Sequence, residues 1–156
     1  MPDEVLTLES LQRDLLLPEL DSFLAAAPDT AGRQAYVELR DAVRTLRVPP
    51  DLAERLAVVV ELLLTSGKVR RAYGPAADLS LWGLFQKTPR GAAVRESLAN
   101  LNTALKAFEG QTLEFVSVAS RAPGAYSITL RSTALLVVVR FDSAGARVET
   151  IEVGAE

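Results

Sequence analysis

The 156-residue sequence contains no histidine and no cysteine. The remaining candidates for charge-based chemistry are basic side chains in the middle third of the chain. Without imidazole and thiol groups, the chain lacks the bases, nucleophiles and soft metal ligands that enzymes use most often. Six basic side chains remain as a candidate surface for an anion or a nucleic acid: Lys68, Arg70, Arg71, Lys87, Arg90 and Arg95. Such a surface neutralises phosphates with cations and stacks bases on aromatic rings.

These six residues, the basic segment 68–95, stand out against an acidic chain of net charge −3. Residues 67–100 carry 6 basic and 2 acidic side chains (net +4), whereas residues 1–66 carry 6 basic and 12 acidic ones (net −6). Three aromatic residues, Tyr73, Trp82 and Phe85, lie in the same segment. Charge balance nevertheless favours a plainer interpretation, in which the basic side chains pair with carboxylates of the acidic helices before them.

No motif in the sequence predicts catalysis. Ser66-Gly67-Lys68 lacks the upstream glycine and the following Ser or Thr of a phosphate-binding loop, and a helix precedes it. No serine lies in a Gly-x-Ser-x-Gly elbow, and the acidic pairs lie at expected helix starts or on charged helix faces. We therefore expect a non-enzymatic protein with no catalytic residue, cofactor or metal ion. The enzymatic alternative left open is a pocket where separated carboxylates converge.

Helical spacing of apolar residues runs through the first two thirds of the chain. It predicts five helices over about 8–27, 30–47, 51–66, 74–86 and 88–108. Pro18 should kink the first, Gly67 should end the third, and Thr88-Pro89 should cap and start the fifth, where free N–H groups would suit an anion. The third helix is apolar nearly all round, so we expect it to be the central buried helix.

After Gly110 the pattern changes to that of strands. Alternation and turn residues predict four antiparallel strands over about 112–120, 125–132, 134–142 and 146–153. Tyr126, Ile128 and Leu130 should face a core, and Leu135–Val139 should form an inner strand. The predicted fold class is α+β: about five N-terminal helices, then a four-stranded antiparallel meander with the helices packed on one sheet face.

The length predicts a single domain over 1–156, with a helical part at 1–110 and a sheet part at 111–156. Helix 51–66 and strand 134–139 carry more apolar surface than one two-layer domain covers, so we expect a homo-oligomer or another protein as partner. The predicted function is that of a protein-interaction or scaffold protein that self-associates. The alternative is a nucleic-acid- or anion-binding accessory protein that uses residues 68–95.

Location and origin follow from composition. The acidic N-terminus lacks the features of a secretory signal, and the apolar runs are too short to span a membrane, so we expect a cytoplasmic protein without a membrane partner. Arginine outnumbers lysine by 14 to 3, a bias that is typical of a GC-rich bacterial genome.

Overall fold

The computed structural model describes residues 4–154, which divide into two compact units, one up to Ala92 and one from Ala93. Helices precede the strands along the chain, so the predicted α+β class is confirmed. No helix among the described residues is long and apolar enough to cross a membrane. The single domain and the cytoplasmic location stay predictions.

Residues 4–154 contain six α-helices, where about five are predicted. They are α1 (Ser10–Ala26), α2 (Ala31–Arg44), α3 (Ala53–Ser66), α4 (Lys68–Tyr73), α5 (Pro75–Lys87) and α6 (Pro89–Leu105). The additional helix is α4. Gly67 ends α3 in the left-handed conformation (φ 65°), as predicted, but the chain starts a new helix at the next residue. Within α4 the buried residue is Val69, so the helix has no apolar stripe from which it could be predicted.

A short two-stranded ladder shortens one predicted helix. β1 (Leu6–Thr7) pairs antiparallel with β2 (Arg47–Val48), so the predicted helix end at 47 is wrong, and the first helix begins two residues after the predicted position of about 8. Leu46 leaves the helical path with a left-handed φ of 60°, and its carbonyl accepts a 2.9 Å hydrogen bond from the Leu8 N–H. Two-residue strands are too short to show a period of two. The left-handed conformation of Leu46 could not be predicted either, because leucine rarely adopts it.

Leucine and valine side chains fill the interior of the first unit. The large fully buried ones from α1, α2, α3 and α5 are Leu16, Leu20, Leu39, Val43, Leu56, Val60, Leu81 and Leu84. Helix α3 contacts α2, α4 and α5, in keeping with a central place. Its expected burial on all sides is wrong, because Leu62 lies 63% exposed at the rim of a groove that α1 and α2 leave open.

The second unit contains the four predicted strands, with small shifts at their ends. They are β3 (Phe115–Ala122), β4 (Ala125–Arg131), β5 (Leu135–Asp142) and β6 (Gly145–Val153). All neighbours are antiparallel in the order β3-β4-β5-β6, which confirms the meander and the inner position of β5. Gly124 (φ 76°) provides the left-handed residue that the β3–β4 turn requires.

The end of α6 and the 3₁₀ turn after it (Lys106–Phe108) pack on one face of this sheet. Leu101, Leu105 and Phe108 lie against Val137 and Val139 of β5. The predicted stripe of α6 is covered only toward its C-terminal end, because Leu98, one turn earlier, is 42% exposed.

Candidate functional site

Two members of the basic segment are held by carboxylates of the first unit. Arg90 donates from Nε to Glu54 Oε1 at 2.5 Å and from Nη1 to Glu61 Oε2 at 2.6 Å, both on α3. The hydrogen bonds to Glu54 and then to Glu61 raise the pKa of Arg90. Lys68 Nζ donates to Glu19 Oε1 on α1 at 2.5 Å. Both cations therefore have the acidic partners that charge balance favours.

The other four members of the basic segment lie on three different helices, and their gathering into one site stays a prediction. Arg70 and Arg71 are exposed on α4, Lys87 ends α5, and Arg95 lies in the second unit. Among residues 4–154, none of these four has a carboxylate at ion-pair distance.

Arg71 folds back over the end of α3. Its Nη1 lies 3.5 Å from the place that a Cβ on Gly67 would occupy. The guanidinium therefore lies at the C-terminal end of α3, where the helix dipole favours a cation. Tyr73, the nearest aromatic residue along the chain, is 62% exposed.

The start of α6, the predicted anion site, has one of its backbone N–H groups bonded within the chain. Thr88 caps the helix as expected: its Oγ1 accepts from the Gly91 N–H at 3.2 Å and donates to the Phe85 carbonyl at 2.6 Å. Gly91 itself is buried so tightly that a Cβ there would lie 1.9 Å from the Phe85 oxygen. One of the N–H groups that an anion would need is thus already bonded to the Thr88 hydroxyl.

Carboxylates were the other candidate for a site. Within residues 4–154, no three acidic side chains lie close enough to hold a metal ion. In the second unit, Asp142 at the β5–β6 turn accepts from Arg147 Nη2 at 2.8 Å and from the Ala144 N–H at 3.0 Å. The Arg147 hydrogen bond, followed by the Ala144 one, lowers the pKa of Asp142. These contacts close the hairpin, which is a structural role.

The two faces of the sheet differ in polarity. The strand registers place apolar side chains on one side, here called the apolar face: Val116, Val118, Tyr126, Ile128, Leu130, Leu135, Val137, Val139, Phe141, Val148, Ile151 and Val153. The opposite side alternates apolar residues such as Phe115 and Val138 with serines, threonines and charged residues. The apolar face is the one on which α6 packs.

The outer strands of the apolar face remain uncovered. On β3, Val116 is 56% and Val118 is 66% exposed; on β6, Ile151 is 53% and Val153 is 77% exposed. Tyr126 points to the predicted face, but its burial in a core is a wrong prediction, since it is 49% exposed. Alternation predicts which side a residue is on, but it does not tell how far a helix covers that side.

The two edges of the sheet also differ in how they are protected. Seven of the eight β3 residues are exposed, and no described strand pairs with the outer side of β3. Its residues 115–120, Phe-Val-Ser-Val-Ala-Ser, carry no charge, and its irregularity comes later, between Ser120 and Ala122. Strand β6 carries three charged residues, Arg147, Glu149 and Glu152, and a bulge opposite Val138 and Val139. Charges and bulges keep strand edges from pairing, so β6 is protected and the first six residues of β3 are not.

A smaller apolar surface lies in the first unit. The rings of Phe23 and Tyr36 meet with centroids 4.8 Å apart and separate a groove of about 210 Å³ from one of about 440 Å³. The smaller groove runs between α1, α2 and α3 to the exposed Leu62. Nothing in the described residues indicates what would occupy it.

No known protein family, curated protein or solved structure matches this chain. The functional conclusion therefore depends on the surfaces described above. Sequence reasoning did not single out Val116 and Val118. The uncharged run over 115–120 could have identified them, because an unprotected edge strand is visible in the sequence once the strand is placed.

Proposed function

We propose that this protein is a non-enzymatic interaction protein that associates with itself through the sheet of its second unit. The observation that carries the proposal is the apolar face, whose outer strands expose valine and isoleucine side chains. Single exposed apolar residues are ordinary, but rows of them on one face are typical of interaction sites. The absence of histidine and cysteine from the sequence supports the non-enzymatic part.

The dimensions of the sheet explain why one helix leaves it uncovered. Strands of eight residues run for about 27 Å, and four strands span about 14 Å between the outer backbones. The helical segment in contact, from Ser97, whose hydroxyl donates to the Ala146 carbonyl, to Phe108, is about 18 Å long and about 10 Å wide. The remaining apolar surface is exposed to water unless another molecule packs on it, and burying it stabilises an assembly by about 25 cal/mol per Å².

The test is the mass of the protein in solution. We expect light scattering or sedimentation at micromolar to 100 micromolar concentration to give at least twice the chain mass of 16.8 kDa. Added sodium chloride should leave the association largely intact, since contacts between apolar groups are not screened. A mass of one chain over the whole range would overturn the proposal.

A second candidate, an anion- or nucleic-acid-binding protein, is favoured by one observation. Arg70 and Arg71 are exposed beside the exposed Tyr73, with no carboxylate partner among the described residues. We rank it second because Lys68 and Arg90 are already neutralised by Glu19, Glu54 and Glu61.

The discriminating measurement is the fluorescence anisotropy of single-stranded DNA or RNA at about 0.15 M salt. Our proposal expects no micromolar binding. Binding that weakens steeply with added salt, and that disappears in the double variant Arg70→Glu with Arg71→Glu, would support the second candidate and contradict our proposal. A matched control is Arg55→Glu, which changes an exposed arginine elsewhere in the first unit.

A further inference from the structure

We infer that strand β3 pairs antiparallel with β3 of a second copy of this chain, about a two-fold axis through Ser117, to give a continuous eight-stranded sheet. The inference rests on the proposed self-association and specifies its geometry. It is carried by the contrast between the two sheet edges, and by the strand registers.

The difference between the two sheet edges favours β3 as the strand that pairs with a second copy. Its N–H and C=O groups on the outer side have no strand partner in the described chain, and the six residues from Phe115 to Ser120 carry no charge. An antiparallel edge is complementary to itself, because a two-fold axis brings the donors of one copy to the acceptors of the other. On β6, the charged residues Arg147, Glu149 and Glu152 and the bulge disfavour a regular ladder with a second copy.

The register follows from the side chains of β3. Residues directly opposite each other in a ladder lie on the same side of the sheet. The two apolar faces therefore join only when a residue, and not a peptide bond, lies on the two-fold axis. An axis at Ser117 places Val116 opposite Val118 of the second copy, twice, so that four exposed valines form one cluster. An axis at Val118 would instead place Val116 opposite Ser120, which buries less apolar surface.

The absence of cysteine from the sequence allows a direct test with single-cysteine variants, in which any disulfide must join two chains. In Ser117→Cys, the two cysteines face each other across the axis, with Cβ atoms about 4.5–5.5 Å apart, close to what a disulfide needs. In Ala119→Cys, each cysteine lies opposite Phe115 of the second copy, about 13 Å along the strand from its equivalent. With oxidised glutathione as oxidant, we expect Ser117→Cys to become a covalent dimer on a non-reducing gel, and Ala119→Cys to stay largely uncrosslinked. Efficient crosslinking at Ala119 but not at Ser117 would overturn the register.

A pair of lysine variants tests the edge itself. Val116→Lys and Ile151→Lys place the same charge on the apolar face at nearly equal exposure, 56% and 53%, but on opposite outer strands. We expect Val116→Lys to lower the measured mass from two chains to one, or to weaken association at least tenfold. Ile151→Lys should leave the mass unchanged. Circular dichroism melts of both variants confirm that they are folded, since both sites are exposed.

The outcomes separate this inference from the proposal beneath it. A wild-type protein that is monomeric at 100 micromolar overturns both. A wild-type dimer that is dissociated by both lysines, or by Ile151→Lys alone, keeps self-association but overturns edge pairing in favour of face-to-face packing. Dissociation by Val116→Lys alone, together with crosslinking at Ser117, supports both.

Discussion

The first unit surrounds its apolar side chains with helices, whereas the second unit lays one helix on a sheet larger than itself. Among the largest fully buried side chains of residues 4–154, ten belong to the first unit, and Val137 is the one from the second. Both units are built from similarly apolar sequence. The difference therefore lies in the number of layers available, and it locates the surface left for other molecules in the second unit.

The largest expected loss of stability comes from a charge placed in the buried interior of the first unit. Leu63→Asp would place an unpaired carboxylate at a site 5% exposed, at a cost of several kcal/mol, which is a large part of a total stability of about 5–15 kcal/mol. We expect the helical circular dichroism signal to be largely lost. The neighbouring Leu62→Asp, at 63% exposure, is the matched control and should cost less than about 1 kcal/mol. Equal damage by both would show that Leu62 is buried in solution.

Smaller changes in the free energy of unfolding, of opposite sign, are expected from substitutions at two glycines of the first unit. Gly91→Ala would press a Cβ against the Phe85 carbonyl and should destabilise the protein by about 1–3 kcal/mol. Gly83→Ala, in α5 with nothing within 4 Å of the new Cβ, should stabilise it by about 0.5–1 kcal/mol. Urea denaturation measures both. A Gly91→Ala variant as stable as the wild type would contradict the close crossing of α5 and α6.

The smallest expected change in stability comes from an ion pair of the second unit, and it depends on pH. The pKa of Asp142 is lowered below its ordinary 3.8 in the folded state, first by Arg147. The ion pair therefore contributes its full stability above pH 3.8, and this stability is lost as the pH falls through the lowered pKa. We expect Asp142→Asn to reduce Tm at pH 7 and to differ less from the wild type near pH 3. Glu109→Gln, which changes an exposed carboxylate with no such partner among residues 4–154, should melt like the wild type at pH 7. A Tm deficit of Asp142→Asn that does not shrink at low pH would argue against this contribution.

Much of the fold could be predicted because local chemistry determines it. Alternating residues and the glycines of the turns set the four strands, and Thr88-Pro89 sets the start of α6. Helix α4 and the β1–β2 ladder could not be predicted in this way. They are too short for periodicity, and tertiary contacts hold them, such as the backbone bond from Leu8 to Leu46.

The candidate surface could be predicted only in part. Its sidedness follows from alternation, so Tyr126 lies on the expected face. Its exposure depends on where α6 ends its contact with the sheet, which is a property of three-dimensional packing. The charges of the basic segment are visible in the sequence, but their ion pairs are not. Arg90 pairs with Glu54 and Glu61, which are about 30 positions away, so only the folded chain shows that its charge is neutralised.

The charged, bulged edge of β6 has a consequence for how far assembly can proceed. When two copies join through β3, each uses its one unprotected edge, and both ends of the enlarged sheet are then β6 strands. These ends present Arg147, Glu149 and Glu152 to any further chain. Pairing through this edge is closed, because each copy uses its β3 edge and no second unprotected edge is left over. Edge-to-edge growth would thus stop at a pair and would not continue into a fibre, although residues 115–120 form an uncharged segment of the kind from which fibres form.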